Sequence, residues 1–172
     1  QSSSITCIEG NSVPNASIGQ YLHYAINFDN TGSRIINNAV IRMDFNTETN
    51  YFDISSFQIL NASHNMYIRQ TGNRVEIILP NCGIESGGHG TVMLKIKSNP
   101  TILANEMIST LASIYFDYER PIETNTAETT FILDTPSFIK DNSITILPNP
   151  TKNNININCN NTIQSIQLLD VQ

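Results

Sequence analysis

His23, His64 and His89 are the chain's three histidines and its natural candidates for general-base work near neutral pH. A hydrolytic triad also needs a nucleophile and an orienting acid in one place. His64 follows Ser63, and His89 closes the run Glu85-Ser86-Gly87-Gly88-His89-Gly90. Neither sits in a nucleophile elbow, so both read as solvated or turn-forming loop residues. The glycines from Gly83 to Gly90 suggest a phosphate cradle, but the Lys-Ser/Thr ending and the following helix are missing. Gly87 and Gly88 read instead as a tight connection at positive φ. Asp29, Asn30, Asp44, Asp117 and Glu119 are oxygen donors at expected strand ends, where calcium could bridge loops. They lack a DxDxDG spacing, and turn chemistry is the simpler account. No cofactor is expected, and calcium is the one ion these donors would suit. Tyr115, Phe116 and Tyr118 could stack on a sugar ring if two were exposed together. Alternation puts Tyr115 and Phe116 on opposite sides of a strand, so one of them belongs to the core. Cys7, Cys82 and Cys159 include no CxxC pair, which argues against zinc. An odd number excludes full pairing within the chain, and Cys7 to Cys82 is the bridge to test. With no catalytic constellation, the chain is expected not to be an enzyme.

Those residues must be positioned by 172 residues, 19.1 kDa, of which 40% are hydrophobic and only 14% charged. That is one ordinary domain, or one with a smaller second piece. The formal net charge is −6, and an acidic surface repels phosphate backbones, so nucleic acid is a poor partner. No run approaches the roughly 18–20 apolar residues of a membrane helix. Asn and Ile each make up roughly one residue in seven, well above ordinary usage. Asn suits turns because it tolerates positive φ, and Ile suits strands because its branched Cβ packs on a pleated surface. Together they describe many short strands joined by polar turns.

The period-2 signal is clearest from residue 21 onwards. Leu22, Tyr24, Ile26 and Phe28 alternate with His23, Ala25 and Asn27, and Asp29-Asn30-Thr31-Gly32 forms a turn. Ala39, Ile41, Met43 and Phe45 repeat the pattern, and Phe57, Ile59 and Ala62 mark a short strand. Residues 66–69 and 75–79 flank Gln70-Thr71-Gly72-Asn73 as a hairpin closed by Pro80. Strands are expected over 91–97, 108–116 and 126–133, with Val92, Leu94 and Ile96 opposite Lys95 and Lys97. Residues 98–107 leave room for one helical turn at most. Residues 1–20 form a lead-in segment whose Ile5, Cys7 and Val13 suggest a first strand. The expected architecture is all-β: an immunoglobulin-like Greek-key sandwich over 21–133, with a barrel as the alternative. A linker over 134–141 leads to a small second unit over 142–172. Three strands in about 30 residues cannot bury a core alone, so that unit is incomplete or packs on something. The start at Gln1, without a signal peptide, and the stop inside a strand at Gln172 suggest a fragment of a longer protein.

Ser143 to Lys152, with Leu147-Pro148-Asn149-Pro150 at its centre, is followed by Ile155-Asn156-Ile157 and by Ile163 to Val171. This order of strand, PNP turn and two further strands resembles the type A sorting domain of the Bacteroidota type IX secretion system. Leu147 stands where that family carries an aromatic residue, and the family continues past Gln172. The resemblance implies a secretion signal formed by Leu147, Pro148, Asn149, Pro150, Ile155, Ile157, Ile166, Leu168 and Asp170. Its partners would be the outer-membrane translocon and shuttle components. Two prolines around Asn149 fix φ and remove two donors, which gives a rigid turn. Tyr21 to Gly32, Val40 to Asp44, Phe57 to His64, Ile114 to Tyr118, Pro121 and Thr124 to Thr126 resemble the immunoglobulin-like module found ahead of such signals in flavobacterial surface proteins. That likeness implies a non-catalytic, surface-displayed spacer or adhesin stalk, secreted across the outer membrane. The alternative is a module that binds a surface glycan or protein through its strand-end loops.

Overall fold

A computed structural model describes residues 1–117, 119–133, 145–147 and 156–158. The chain divides into two units, Gln1–Asp134 and Thr135–Gln172. In the first, the strands are β1 (Ser2–Cys7), β2 (Ser12–Pro14), β3 (Tyr21–Asp29), β4 (Ala39–Asp44), β5 (Phe52–Ala62), β6 (Tyr67–Thr71), β7 (Arg74–Leu79), β8 (His89–Ser98), β9 (Met107–Thr110), β10 (Ser113–Phe116), β11 (Ile122–Glu123) and β12 (Ala127–Ile132). Among the described residues the only helix is a 3-10 turn at Asn15–Ser17, and 98–107 holds turns without a helix.

One sheet has the order β1-β3-β8-β5, a second the order β11-β10-β4-β7-β6, and a third β2-β12-β9. All pairs are antiparallel except β2 with β12. The first two sheets form the layers of a sandwich because each contributes one apolar face. Leu22, Tyr24, Ile26, Phe28, Val92, Leu94 and Ile96 from the first are buried against Ala39, Ile41, Met43, Val75, Ile77 and Leu79 from the second. Aromatic rings fasten the layers: Phe28 meets Phe116 with centroids 5.8 Å apart, and Phe45 meets Phe52 at 5.6 Å. The alternation read over 22–28, 39–45 and 91–97 is the observed burial pattern.

Three boundaries differ from the sequence reading. Residues 1–20 belong to the unit: Ile5, Cys7 and Val13 are buried, β1 pairs with β3, and β2 pairs with β12. The strand marked by Phe57 and Ile59 begins at Phe52, because register shifts between Asp53 and Gln58 and between Ile59 and Asn61 scramble its alternation. The expected strand over 108–116 is two strands in different sheets. The chain changes layer at Leu111-Ala112, where buried Ala112 donates its N–H to Thr124 Oγ1. In the second unit, β13 (Thr145–Leu147) and β14 (Asn156–Asn158) form an antiparallel pair with Ile146 opposite Ile157.

Candidate functional site

The three histidines lie apart. His23, on the outer face of β3, pairs through Nδ1 with Glu9 Oε1, and its backbone N–H donates to Glu9 Oε2 at 2.9 Å. Partial burial pushes the Glu9 carboxyl up, but the bonds from His23 outweigh it and hold the group below its ordinary value. Glu9 also accepts from Cys7 Sγ at 3.5 Å. This Cys-Glu-His contact runs in the wrong order for nucleophilic catalysis. The carboxylate sits between thiol and imidazole, and burial together with the Glu9 charge raises the Cys7 pKa. Ser63 Oγ lies 2.7 Å from His64 Nδ1, yet the same oxygen accepts the Thr91 N–H at 2.9 Å. That hydroxyl closes the end of β5, and among the described residues no acid pairs with the His64 ring.

The N–H groups of the Gly87-Gly88 pair are not free for an anion, because both bond to backbone carbonyls. Gly87 (φ 77°) donates to Asn30 O at 2.8 Å, and Gly88 donates to Glu85 O at 2.9 Å. Asn30 is the hub of that corner. It is fully buried, its Nδ2 donates to Arg34 O at 2.7 Å and Ile84 O at 2.9 Å, and its Oδ1 accepts from Gly32 N at 3.1 Å. The Asp117 carboxylate accepts the backbone N–H groups of Asn37 and Asn38, and Asp29 accepts from Ser2 Oγ. Asp44 takes Arg74 Nε at 2.7 Å. These oxygens serve turns and strand rows. Among the described residues no group of three His, Cys, Asp or Glu side chains converges as a metal site.

Phe116 is buried and Tyr115 lies on the outer face under the Arg42 guanidinium, 5.1 Å from its centroid, while Tyr118 lies outside the described residues. Cys7 and Cys82 are free thiols rather than a bridge. Cys7 sits on β1 opposite Tyr24, whereas Cys82 follows β7 with Sγ toward Ile36 O, and burial raises both pKa values. Cys159 lies outside the described residues. Of the secretion-signal residues, Leu147 is in β13 and Ile157 in β14. Pro148, Asn149, Pro150, Ile155, Ile166, Leu168 and Asp170 lie outside the described residues.

Two features were not anticipated. A strand-end cleft of about 210 Å³ is lined by Asp44, Asn46, Tyr51, Ser109, Thr110 and Thr126 among others. It brings three aromatic residues (Phe45, Tyr51 and Phe52), one carboxylate and several hydroxyls together from four separate stretches of chain. The second is a cluster on the outer face of β3 and β8, where Lys95 Nζ stands 4.3 Å and Lys97 Nζ 5.2 Å from the Tyr21 ring centroid. The sequence signal was present in the outward alternation of Lys95 and Lys97. What it lacked was the register that sets Tyr21 opposite Lys97.

The fold is that of pilin and adhesin β-sandwich domains. Two domains of the major pilin SpaD of Corynebacterium diphtheriae match with a TM-score of 0.55 at 15% identity, over 74% of this chain and 52% of that one. The N-terminal domain of the Streptococcus gordonii adhesin Sgo0707 matches at 0.54 and 12%, over 76% and 32%. BcpA, the major pilin subunit of Bacillus cereus, matches at 0.51 and 11%, over 76% and 41%. The chain therefore spans about half or less of these solved chains. No curated protein matches its sequence. Residues 1–130 match the domain of unknown function DUF7619, and the chain belongs to that family.

Proposed function

We propose that this chain is a non-catalytic surface module, displayed as a spacer or adhesin stalk and exported as type IX cargo through residues 142–172. The path of the backbone supports the stalk reading most directly. β1 starts beside Asp29, and β12 ends at Ile132 beside Pro14, toward the Tyr21 end of β3. The nine residues of β3 set these two poles roughly 30 Å apart at about 3.3 Å per residue. A chain that enters at one pole and leaves at the other extends a fibre rather than folding it back. The pilin and adhesin domains of the same fold favour the surface location, and the Leu147-Pro148-Asn149-Pro150 motif favours the export route. Incubation of the tagged chain with flavobacterial envelope extract tests the cargo reading. Recovery of translocon or shuttle components, lost on removal of 142–172, is expected. Equal recovery from both forms would sink it.

A second reading, docking of a glycan or peptide through strand-end loops, is favoured by the cleft around Tyr51. Tyr51→Ala would then abolish binding to whole cells or cell-wall glycans while the melting curve stays within a few degrees.

A further inference from the structure

We infer that the outer face of β3 and β8 around Tyr21, Lys95 and Lys97 binds an anionic polysaccharide, a chain carrying carboxylate or sulfate groups. It is a site separate from the strand-end cleft. The first observation is charge placement. Arg42, Arg69 and Arg74, on the other sheet, each lie within 4.0 Å of a carboxylate. Among the described residues Lys95, Lys97, Arg34 and Arg120 have no such partner, and of these Lys95 and Lys97 are the two brought together over one ring. In an acidic chain, two unneutralised ammonium groups are held against one aromatic ring. Their mutual repulsion is relieved by an anion placed between them.

The second observation is preorganisation. Both lysines are half-buried, which is unusual for so flexible a side chain, and their charges rest over the Tyr21 ring. The Tyr21 hydroxyl is itself fixed by Gln58 Nε2 at 3.3 Å. Little side-chain freedom is left to lose on binding. Asp53, the acid opposite Lys97, is turned aside to Ser55, whose N–H and Oγ donate to its Oδ1.

The third observation is the shape and chemistry of the surroundings. Further along the same face lie His23, whose Nδ1 is held by the Glu9 carboxylate, and Asn27, Thr91 and Gln58. Thr91 Oγ1 donates to Asn27 Oδ1 and Gln58 Nε2 to Tyr21, so the ring Nε2 of His23, Asn27 Nδ2 and Gln58 Oε1 are left to hydrogen-bond to hydroxyls. A flat row of amides and hydroxyls beside a small cationic centre suits a sugar polymer with spaced charges. A nucleic acid, with one charge at every phosphate, would meet the repulsion of the remaining acidic surface.

Affinity electrophoresis of the full chain in gels containing alginate, dextran sulfate, neutral dextran or duplex DNA tests this. Retardation by alginate or dextran sulfate, absent with neutral dextran and DNA, is expected. Lys95→Ala with Lys97→Ala should weaken it at least tenfold, Lys→Arg at both positions should keep it, and Arg69→Ala should leave it unchanged. Tyr51→Ala, in the cleft, should also leave it unchanged. Circular dichroism melts confirm that each variant folds. Retardation that survives the double alanine variant, is lost with Tyr51→Ala, or is as strong with DNA would overturn the assignment, as would no retardation at all.

Discussion

Gly90 shows how one residue can be fixed by its neighbour's volume. It lies opposite Phe28 in the β3–β8 ladder, and an added Cβ would stand 2.2 Å from Phe28 Cζ, far inside van der Waals contact. Its φ is not in the left-handed region, so the demand is for space alone. Gly90→Ala must displace a fully buried ring that touches Phe116, and the expected loss is about 1–3 kcal/mol by urea denaturation. Glu9 carries a different consequence. Its folded pKa lies below the ordinary 4.5, so the unfolded chain binds the proton more readily. Its contribution is therefore present above about pH 4.5 and disappears as pH falls through the depressed folded value. Melting temperature should drop more steeply below pH 4.5 in the parent than in Glu9→Gln; parallel curves would refute the linkage. At this scale the sequence was partly legible. The turn role of Asn is visible at Asn50, Asn81 and Asn105, which adopt positive φ. The closure of Asn30 on Arg34 and Ile84 was not, because it joins two loops distant in sequence.

Strands were legible where one face is buried throughout and hidden where the ladder is irregular. β3, β4 and β8 could be read from alternation alone. β5 could not, since its bulges move apolar residues out of phase, and the break between β9 and β10 carries neither Gly nor Pro to announce it. The cation–aromatic cluster was invisible for a related reason: Tyr21 and Lys97 are brought together by register, which no single strand encodes. β6 illustrates what an element must also avoid. It is an edge strand with all five residues exposed, including Tyr67 and Ile68. Arg69 stands at its centre and pairs with Glu76 on β7 at 2.7 Å. A charge there discourages edge-to-edge pairing with another chain. Arg69→Val turns the strand into an uncharged, β-prone segment. Concentration-dependent light scattering should rise while the urea midpoint changes little, because an exposed ion pair contributes about 0–1 kcal/mol. A variant that stays monodisperse would show that the edge is protected by other means.

For the first unit taken whole, the decisive relation is between its first and last strands. β2 runs parallel to β12, and the neighbouring backbone is stitched to the same strand. Asn125 Oδ1 accepts from Ile5 N at 3.0 Å, Asn125 Nδ2 donates to Ile5 O at 2.9 Å, and Thr129 Oγ1 donates to Gly10 O at 3.0 Å. Thr130 N donates to Asn11 O at 3.0 Å. Tension between the unit's two ends pulls these strands in opposite directions along their length. All the bonds between them are loaded together in shear, and none can open first without the rest. Tension applied instead at Gly72, in the β6–β7 turn, peels β6 from β7 one bond at a time. Forced unfolding is governed by the barrier along the pulled direction, so the two geometries should differ although the equilibrium stability is one number. In single-molecule pulling, attachment at residues 1 and 134 should require at least twice the force of attachment at residues 72 and 134. Asn125→Ala, which removes two of the stitches, should lower the first force and leave the second unchanged. Equal forces in both geometries would mean that the parallel pair bears no special load, and the stalk reading would lose its mechanical support.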